Sequence, residues 1–315
     1  MTELTARQLI MRAAQLSVRR LYRVTIGEMG LAGFIFWAIV LVIAALFFGI
    51  PLLWLLLAPS KTDNQLLNMA PLAFGSISGY GQAWTNLNVF DSGIVGQWAL
   101  NSLWYGLTTV ILSLAIAIPA GYSLAVSTFR GRRIILFLTL LTMIIPASAL
   151  VLPLFLEVNV VKLVNTPWAV IIPSAFFPFG TYLAYIFFAT SLPKDLLAAA
   201  RVDGASEWQL FRFVGLPLSR TLLGLLAFLS FTANWNNYFL PFVMLNNNAY
   251  FTLPLGIQAL ISGTSALYPT FATDLPFKRP EVALLGLITV LPVVIVFLFS
   301  QRYVISGALT GGVKE

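Results

Sequence analysis

The sequence predicts an all-α fold, a polytopic membrane helix bundle with six transmembrane helices and a pair of short helices outside the membrane. Of its 315 residues, 59% are hydrophobic and only 9% are charged, whereas a soluble domain usually carries about 25% charged residues. The apolar residues form blocks long enough to cross a hydrocarbon core of about 30 Å, at about 1.5 Å per helical residue. Basic residues are concentrated in alternate connecting segments, which is typical of a protein that crosses a membrane repeatedly.

Six apolar blocks are predicted to span the membrane as helices, because hydrocarbon offers no partners for the backbone groups of an open strand. Their predicted ranges are 31–57, 101–126, 134–156, 168–189, 222–242 and 282–304. Each block contains proline, which favours kinked helices. The first block is longer than the apolar core of a signal peptide and lacks a small-residue cleavage motif, so we interpret it as a retained span.

The spans divide the chain into four regions. These are a basic segment at 1–30, the first span with an external loop at 31–100, a core at 101–304 and a tail at 305–315. Fourteen of the 18 Lys and Arg residues lie in the two terminal regions, at Arg302 near the end of the last span, and in the loops 127–133 and 190–221. By the positive-inside rule we expect these segments to be cytoplasmic, and the loop at 243–281 to be external.

The composition excludes several kinds of chemistry. The chain has no cysteine and no histidine, which excludes disulfides, thiolate metal sites and histidine-based acid–base catalysis. The sequence also lacks a nucleophile–base pair and a phosphate-binding glycine loop, so a membrane-bound enzyme is disfavoured. Topology explains the net charge of +7 better than nucleic-acid binding does. The predicted spans carry no charge away from their ends, which weakens an ion-coupled transporter.

The loop 190–221 has the pattern of two short helices joined by a hinge. Pro193 suits the first turn of a helix, where its missing N–H has no intrahelical partner to lose. Gly204 can adopt the left-handed conformation that ends a helix. Ser206 and Gln209 then form an S-x-x-Q capping box that starts a second helix.

Two interpretations of this helix pair remain open from the residues alone. The pair can dock into a groove on a partner protein, with apolar anchors at Leu196, Trp208, Leu210 and Phe211. It can also lie on lipid headgroups as an amphipathic connector. In either case Pro217 marks the return of the chain towards the membrane.

The stretch Ala-Ala-Arg-Val-Asp-Gly-Ala-Ser at 199–206, followed by Trp208-Gln209 and Leu-Pro-Leu at 216–218, resembles the EAA loop. That loop is the signature of permease subunits in binding-protein-dependent ABC importers. Two more stretches, at 234–242 and 301–314, resemble the second permease subunit of maltose-type carbohydrate importers. The resemblance implies an ABC type I importer permease-like fold in which 190–221 is a cytoplasmic coupling helix pair.

The resemblance also implies partners and a location. This chain would form half of an alternating-access pathway with a second, related permease subunit, and would work with two ABC ATPase subunits and an extracytoplasmic solute-binding protein. It would lie among the lipids of a bacterial or archaeal cytoplasmic membrane, with both termini in the cytoplasm. No cofactor is expected in this chain, since ATP and Mg are expected on the ATPase subunits.

Ten residues are expected to couple the chain to the ATPase. They are Asp195, Ala198, Ala199, Ala200, Asp203, Gly204, Ser206, Trp208, Gln209 and Pro217. Ala198 stands where the family motif has glutamate, so a charge-assisted contact worth about 1.5–3 kcal/mol is missing. Asp195 lies one helical turn earlier and is the candidate that replaces it.

Polar and aromatic residues outside the loop give weaker candidates for substrate and binding-protein contacts. A sugar site needs aromatic faces and amide or hydroxyl partners, and the candidates near the spans are Asn101, Asn234, Asn236, Asn237 and Tyr238. Asparagine in a membrane also joins helices to one another without touching a ligand. In the external loop, the resemblance points to the solute-binding protein as the partner of Tyr250, Phe251 and Tyr268.

The predicted function is therefore a non-catalytic permease subunit of an ATP-driven carbohydrate (oligosaccharide) importer. The nearest alternative is the same machine carrying glycerol phosphate or an anionic oligosaccharide. A stand-alone secondary transporter or channel is a more distant alternative, because the loop 190–221 has no purpose there.

Overall fold

The computed structural model describes residues 6–89, 93–263 and 278–310, and within these ranges the regular structure is helical. The α-helices are α1 (Ala6–Leu57), α2 (Asp63–Asn68), α3 (Ile77–Val89), α4 (Ile94–Val126), α5 (Arg132–Ile144), α6 (Ala147–Val160), α7 (Trp168–Ala175), α8 (Pro178–Ser191), α9 (Lys194–Val202), α10 (Glu207–Leu210), α11 (Leu216–Leu218), α12 (Arg220–Trp235), α13 (Phe239–Met244), α14 (Leu253–Gly263) and α15 (Arg279–Thr310). Shorter turns lie at Ala58–Ser60, Phe211–Gly215 and Asn248–Tyr250. The prediction of an all-α fold is confirmed.

Four stretches of the described chain are long and apolar enough to cross a membrane. They are Gly30–Ser60, Ile94–Val126, Trp168–Ser191 and Arg279–Tyr303. Two bent helix pairs pass the same test, one formed by α5 and α6 and the other by the segment Glu207–Leu218 with α12. The predicted number of six spans is therefore reached when each bent pair counts as one span.

The predicted span at 134–156 contains two helices, α5 and α6, joined by a sharp bend. Helices α5 and α6 meet at an angle of 109°, with Ile145 and Pro146 between them. A proline disfavours the helical conformation of the residue before it, and Ile145 accordingly has an extended ψ of 125°. Pro146 then serves as the N-cap residue of α6.

Two other predicted spans are interrupted. The block at 222–242 is not one helix, because α12 ends at Trp235 and α13 begins at Phe239. In the gap, the side-chain Oδ1 of Asn237 accepts a hydrogen bond from the backbone N–H of Leu240 at 3.3 Å, and such local bonds compete with helix continuation. The block at 168–189 breaks between α7 and α8, just before Pro178.

Helix α4 is the centre of the packing. It contributes Trp98 to one cluster of buried residues, Tyr105 to a second, and Ile118 and Tyr122 to a third. By contrast, none of the most apolar part of the first span is buried within the described chain. The core therefore forms around α4, and α1 keeps its apolar surface for the surroundings of the chain.

The segment after α1 is fastened to the start of α15. Asp63 in α2 accepts hydrogen bonds from the Arg279 guanidinium at 2.9 and 3.0 Å. Glu281, which is only 4% exposed, accepts a hydrogen bond from Asn86 in α3 at 2.6 Å. Lys61 is also buried, and its ammonium group donates to backbone carbonyls at 2.8 and 3.1 Å. An ion pair thus holds α2, and a hydrogen bond to a carboxylate holds α3, against the start of the last span.

Gly121 permits the close approach of α4 to α8. A Cβ atom at this position would lie 2.4 Å from the Cβ of Ala184 and 2.8 Å from backbone atoms. We expect Gly121→Ala to force the helices apart and to destabilise the protein by ~1–3 kcal/mol, as overpacked cores are destabilised. Gly96→Ala on the same helix is the matched control, because nothing lies within 4 Å of its position. Thermal unfolding in detergent, followed by tryptophan fluorescence, measures both; equal midpoints would contradict this packing.

Candidate functional site

The candidate site is the loop between α8 and α12, and its first half is helix α9. Pro193 is the N-cap residue, with φ −65° and ψ 117°, and so lies one position before the predicted first turn. Leu197 is 4% exposed and packs into the cluster around Ile118 and Tyr122. This single buried leucine fixes which side of α9 faces outward.

The outward side of α9 carries the residues that the sequence predicted for coupling. Asp195, Ala198 and Ala199 are exposed, and Val202 follows on the same side with 88% of its surface exposed. These positions are spaced as i, i+3, i+4 and i+7, which places them on one face of a helix. The outward face is therefore a strip of small residues with one carboxylate at its start.

The hinge between the two halves is Gly204. It adopts the left-handed conformation with φ +85°, as predicted, and the N–H of Ala205 closes the end of α9 on the carbonyl of Ala200 at 2.9 Å. Asp203 is the C-cap residue. The site of the turn is thus set by the one residue type that reaches this φ without steric cost.

The second half begins with the predicted capping box, which is confirmed. The N–H of Gln209 donates to the Ser206 hydroxyl at 3.3 Å, and the N–H of Ser206 donates to the Gln209 side chain at 2.8 Å. Arg201 in α9 forms an ion pair with Glu207 in α10 at 2.8 Å. This hydrogen bond raises the pKa of the Arg201 guanidinium above its ordinary value, and the pair bridges the two helices across the Gly204 hinge.

Beyond α10 the structure departs from the predicted second helix. Phe211–Gly215 forms a π-helical turn, in which the N–H of Leu216 donates to the carbonyl of Phe211. The chain then bends by 75° between the segment Glu207–Leu218 and α12. Pro217 lies within α11, and the change of direction falls two residues later, at Ser219.

The π-helical turn packs against α4 at Tyr122. The rings of Tyr122 and Phe211 have their centroids 5.1 Å apart, and a Cβ at Gly215 would lie 2.9 Å from the Tyr122 ring. The Tyr122 hydroxyl is buried and has no hydrogen-bond partner within the described ranges. The contact is therefore apolar and tight, and it joins the loop to the helix at the centre of the core.

The apolar residues divide into an inner and an outer set. The prediction that Leu210 and Phe211 anchor a partner is wrong, because both are buried at 1% and 7% exposure in the cluster around Tyr122. Trp208 and Leu196 are exposed, as that prediction required. A shallow concavity of about 340 Å³ lies beside the hinge, lined by Ala200, Asp203, Gly204, Ala205, Gln209, Leu210, Phe213 and Val214.

Sequence reasoning missed several residues of this surface. Val202 was within reach, since the helical spacing from Asp195 places it on the outward side of α9. The side chain of Phe213 is 71% exposed, but the direction in which it points depends on the π-helical turn, which no local sequence pattern predicted. Tyr122, against which the π-helical turn packs, lies about 90 residues before Phe211, and no sequence pattern indicated this contact.

The candidate substrate residues do not form one cluster of free polar groups. Asn101 is buried, and its amide donates to the carbonyls of Ala249 and Phe251 at 2.8 and 2.9 Å while its oxygen accepts from Gln97. Its amide therefore ties α4 to the turn near Tyr250.

The remaining candidates lie at the end of α12. Asn234 and Asn236 each donate to a backbone carbonyl one helical turn earlier, at 2.8 and 2.9 Å. Asn237 accepts the bond from Leu240 described above, and Tyr238 stacks on Phe242 with ring centroids 5.4 Å apart. Their predicted contact with substrate stays a prediction.

The predicted binding-protein contacts have different environments. Tyr250 is 38% exposed, whereas Phe251 is partly buried and packs with its ring centroid 6.3 Å from that of Trp98. Tyr268 lies outside the described residues. Tyr250 is thus the accessible member of this set in the described part of the chain.

Comparison with known proteins agrees with this architecture. A family model described as "Binding-protein-dependent transport system inner membrane component" matches residues 116–308. A protein of Halalkalibacterium halodurans named arabinooligosaccharides transport system permease protein AraQ is 37% identical over 225 residues, covering 71% of this chain and 76% of the relative. The Bacillus subtilis protein of the same name is 34% identical over 272 residues, covering 86% and 92%.

A solved structure has a similar fold. It belongs to a bacterial ABC transporter involved in the import of the acidic polysaccharide alginate, with a TM-score of 0.72 and 24% identity, and the match covers 85% of this chain and 95% of that one. At this identity the likeness concerns the fold. The family match and the two relatives establish that this chain belongs to the binding-protein-dependent transport system inner membrane components, and it is a multi-pass permease subunit of an ABC importer.

The left-handed hinge gives a direct test of the loop geometry. We expect Gly204→Val to cost ~1–2 kcal/mol or more of strain, since side chains rarely adopt this φ, and to reduce ATP-driven uptake in proteoliposomes several-fold. Gly204→Asn is the matched control, because asparagine tolerates the left-handed region, and nothing lies within 4 Å of the position. Uptake that is equally reduced in both variants would show that side-chain bulk, and not backbone conformation, matters here.

Proposed function

We propose that this chain forms half of the translocation pathway of an ATP-driven oligosaccharide importer and takes its energy through the loop 190–221. The observation that carries the proposal is the ordered pair α9 and α10, which turns a strip of small residues and the exposed Trp208 outward. Exposed apolar surface on an ordered element marks an interaction site. In a permease of this family, a partner ATPase is the natural occupant of that site.

The distribution of basic residues supports an orientation for this machine. Fourteen of the 18 Lys and Arg residues lie in the terminal regions, at Arg302 near the end of the last span, and in the loops 127–133 and 190–221, so these parts face the cytoplasm. The loop 190–221 thereby meets two ABC ATPase subunits that carry ATP and Mg and perform the hydrolysis. A second, related permease subunit completes the pathway, and a solute-binding protein delivers substrate at the opposite face near Tyr250.

The proposed mechanism is a transfer of motion through apolar contacts. ATP binding closes the ATPase pair and moves α9 and α10 as one body, because the Arg201–Glu207 ion pair bridges their hinge. The π-helical turn passes this motion to α4 through Tyr122, and the pathway changes from inward-facing to outward-facing. Nucleotide drives the change only through its different affinity for the two states.

The oligosaccharide substrate is proposed from relatives and from the chemistry of the spans. Two relatives are named for arabino-oligosaccharides. Helix α4 contains no Lys or Arg, and α12 carries only Arg220 at its start. The lack of positive charge along α4 and the body of α12 suits a neutral sugar better than glycerol phosphate or an anionic oligosaccharide, which would need basic partners.

Transport by the complete importer, reconstituted in proteoliposomes, tests this function. We expect ATP-dependent uptake of neutral oligosaccharides, beginning with arabino-oligosaccharides, that requires the solute-binding protein. Glycerol 3-phosphate and alginate oligosaccharides serve as the anionic comparison. Uptake without the ATPase would contradict the machine proposed here, and uptake restricted to the anionic compounds would contradict only the substrate.

Asp195 and Ala198 provide a test of the coupling surface. Both are exposed on the outward side of α9, one turn apart. We expect Asp195→Ala to weaken ATPase association about ten- to a hundredfold, because a charge-assisted bond worth ~1.5–3 kcal/mol is lost. Adding Ala198→Glu should restore the association by returning a carboxylate to the same face. Glu157→Ala, which removes an exposed carboxylate far from the loop in sequence, is the control. Equal association of Asp195→Ala and the unmodified protein, measured by titration in detergent, would exclude Asp195 as the substitute acid.

A further inference from the structure

A basic corner lies between the end of α4 and the start of α5, and the coupling mechanism does not use it. The residues 128–134, called here the arginine corner, line a concavity of about 550 Å³ on one side of the bundle. Arg130, Arg132 and Arg133 all belong to this lining. The corner lies at the end of α4 where Tyr122 contacts the loop, so it is placed at the same membrane boundary.

Within the described residues, no ion pair neutralises the positive charge of the arginine corner. The ion pairs of the described residues involve Arg201 and Arg279, and none involves the corner. The sequence contains no Asp or Glu between Asp91 and Glu157. Arg132 makes one long contact, from its guanidinium to the carbonyl of Ala125 at 3.4 Å.

Helix stability does not explain this charge. Arg132 and Arg133 stand in the first turn of α5, which has no acidic residue and no side-chain cap. Positive charges are unfavourable near a helix N-terminus, because they oppose the helix dipole. A topological signal requires basic residues in this connection, but it does not require three of them around one concavity.

The surface next to the arginine corner is apolar and uncovered. None of the residues of α5 is buried. The exposed fractions are 63% for Ile134, 62% for Phe137 and 50% for Leu138. Since α5 is half of a bent pair that is apolar enough to span a membrane, this surface lies at the depth of acyl chains. A positively charged patch therefore lies next to an apolar surface, and the two match the headgroup phosphate and the acyl chains of a phospholipid.

We propose that the arginine corner binds an anionic phospholipid, with the headgroup phosphate between Arg130 and Arg133 and the acyl chains along α5. Guanidinium groups bind phosphate oxygens in bidentate fashion, and clusters of basic residues beside a membrane attract anionic lipids. An acidic surface of a soluble partner would satisfy the arginines but would leave the adjoining face of α5 in hydrocarbon. A phospholipid satisfies both parts at once.

Native mass spectrometry of the purified protein with added phosphatidylglycerol or phosphatidylcholine tests the proposal. We expect the unmodified protein to bind phosphatidylglycerol selectively, and Arg130→Gln with Arg133→Gln to weaken that binding about tenfold or more. Both side chains are exposed, so the thermal unfolding midpoint should be unchanged. Arg130→Lys with Arg133→Lys keeps the charges and should retain part of the selectivity, which supports the same conclusion if the first pair folds poorly.

Arg212→Gln with Arg220→Gln is the matched control, because both side chains are exposed and lie on either side of the bend at Ser219. An equal loss of binding in the control pair would overturn the proposal, since the charges would then act as a diffuse belt. Equal binding of phosphatidylcholine by the unmodified protein would also overturn it. Displacement by inorganic phosphate alone would exclude the acyl contribution, and lost ATPase association with unchanged lipid binding would identify the corner as a protein contact.

Discussion

The packing of α4 is the constraint on which the rest of the described structure depends. This helix supplies Trp98, Tyr105 and Tyr122 to three different clusters of buried residues, and it approaches α8 closely at Gly121. Hydrocarbon provides little hydrophobic drive for helices to associate, so close fit and interhelical hydrogen bonds must do so. Asn101 contributes such bonds by holding the carbonyls of Ala249 and Phe251. The turn near Tyr250 and the loop 190–221 thus both pack against one helix.

The loop 190–221 packs its inner side into the core and exposes mainly small residues on the outer side of α9. Leu197, Leu210 and Phe211 are buried in the cluster around Tyr122, whereas the outward side of α9 offers small residues and Val202. Because its inner side is packed, the loop 190–221 can gain or lose contacts with a partner on its outer side without a change in its own fold. The alanine at position 198 continues the strip of small residues along α9, and Asp195 is the carboxylate on the same face.

The sequence predicted the features that are fixed locally. Gly204, Ser206 and Gln209 act through bonds within a few residues, and each adopted the expected conformation. The apolar blocks could also be located from the sequence, because the hydrophobicity of a run of consecutive residues is likewise a local property. The angles between helices were not predictable from the sequence. The 109° bend at Pro146 depends on how α5 and α6 pack against other helices, since proline permits a kink without fixing its size. The π-helical turn at Phe211–Gly215 depends on Tyr122, which is distant in sequence, and so the burial of Leu210 and Phe211 was missed.

The fastening of α2 and α3 to the start of α15 has a mechanical consequence. Asp63 and Asn86 hold the first turn of α15 through Arg279 and Glu281. Further along, the carbonyl of Thr289 in α15 accepts a hydrogen bond from the indole of Trp235 in α12 at 2.9 Å. Ser219 directly precedes α12, and the chain bends there by 75° after the segment Glu207–Leu218 of the loop 190–221. Contacts at the start of α15 and the end of the loop 190–221 are therefore linked through two packed helices, so a displacement at one end would reach the other through the bond between Trp235 and Thr289.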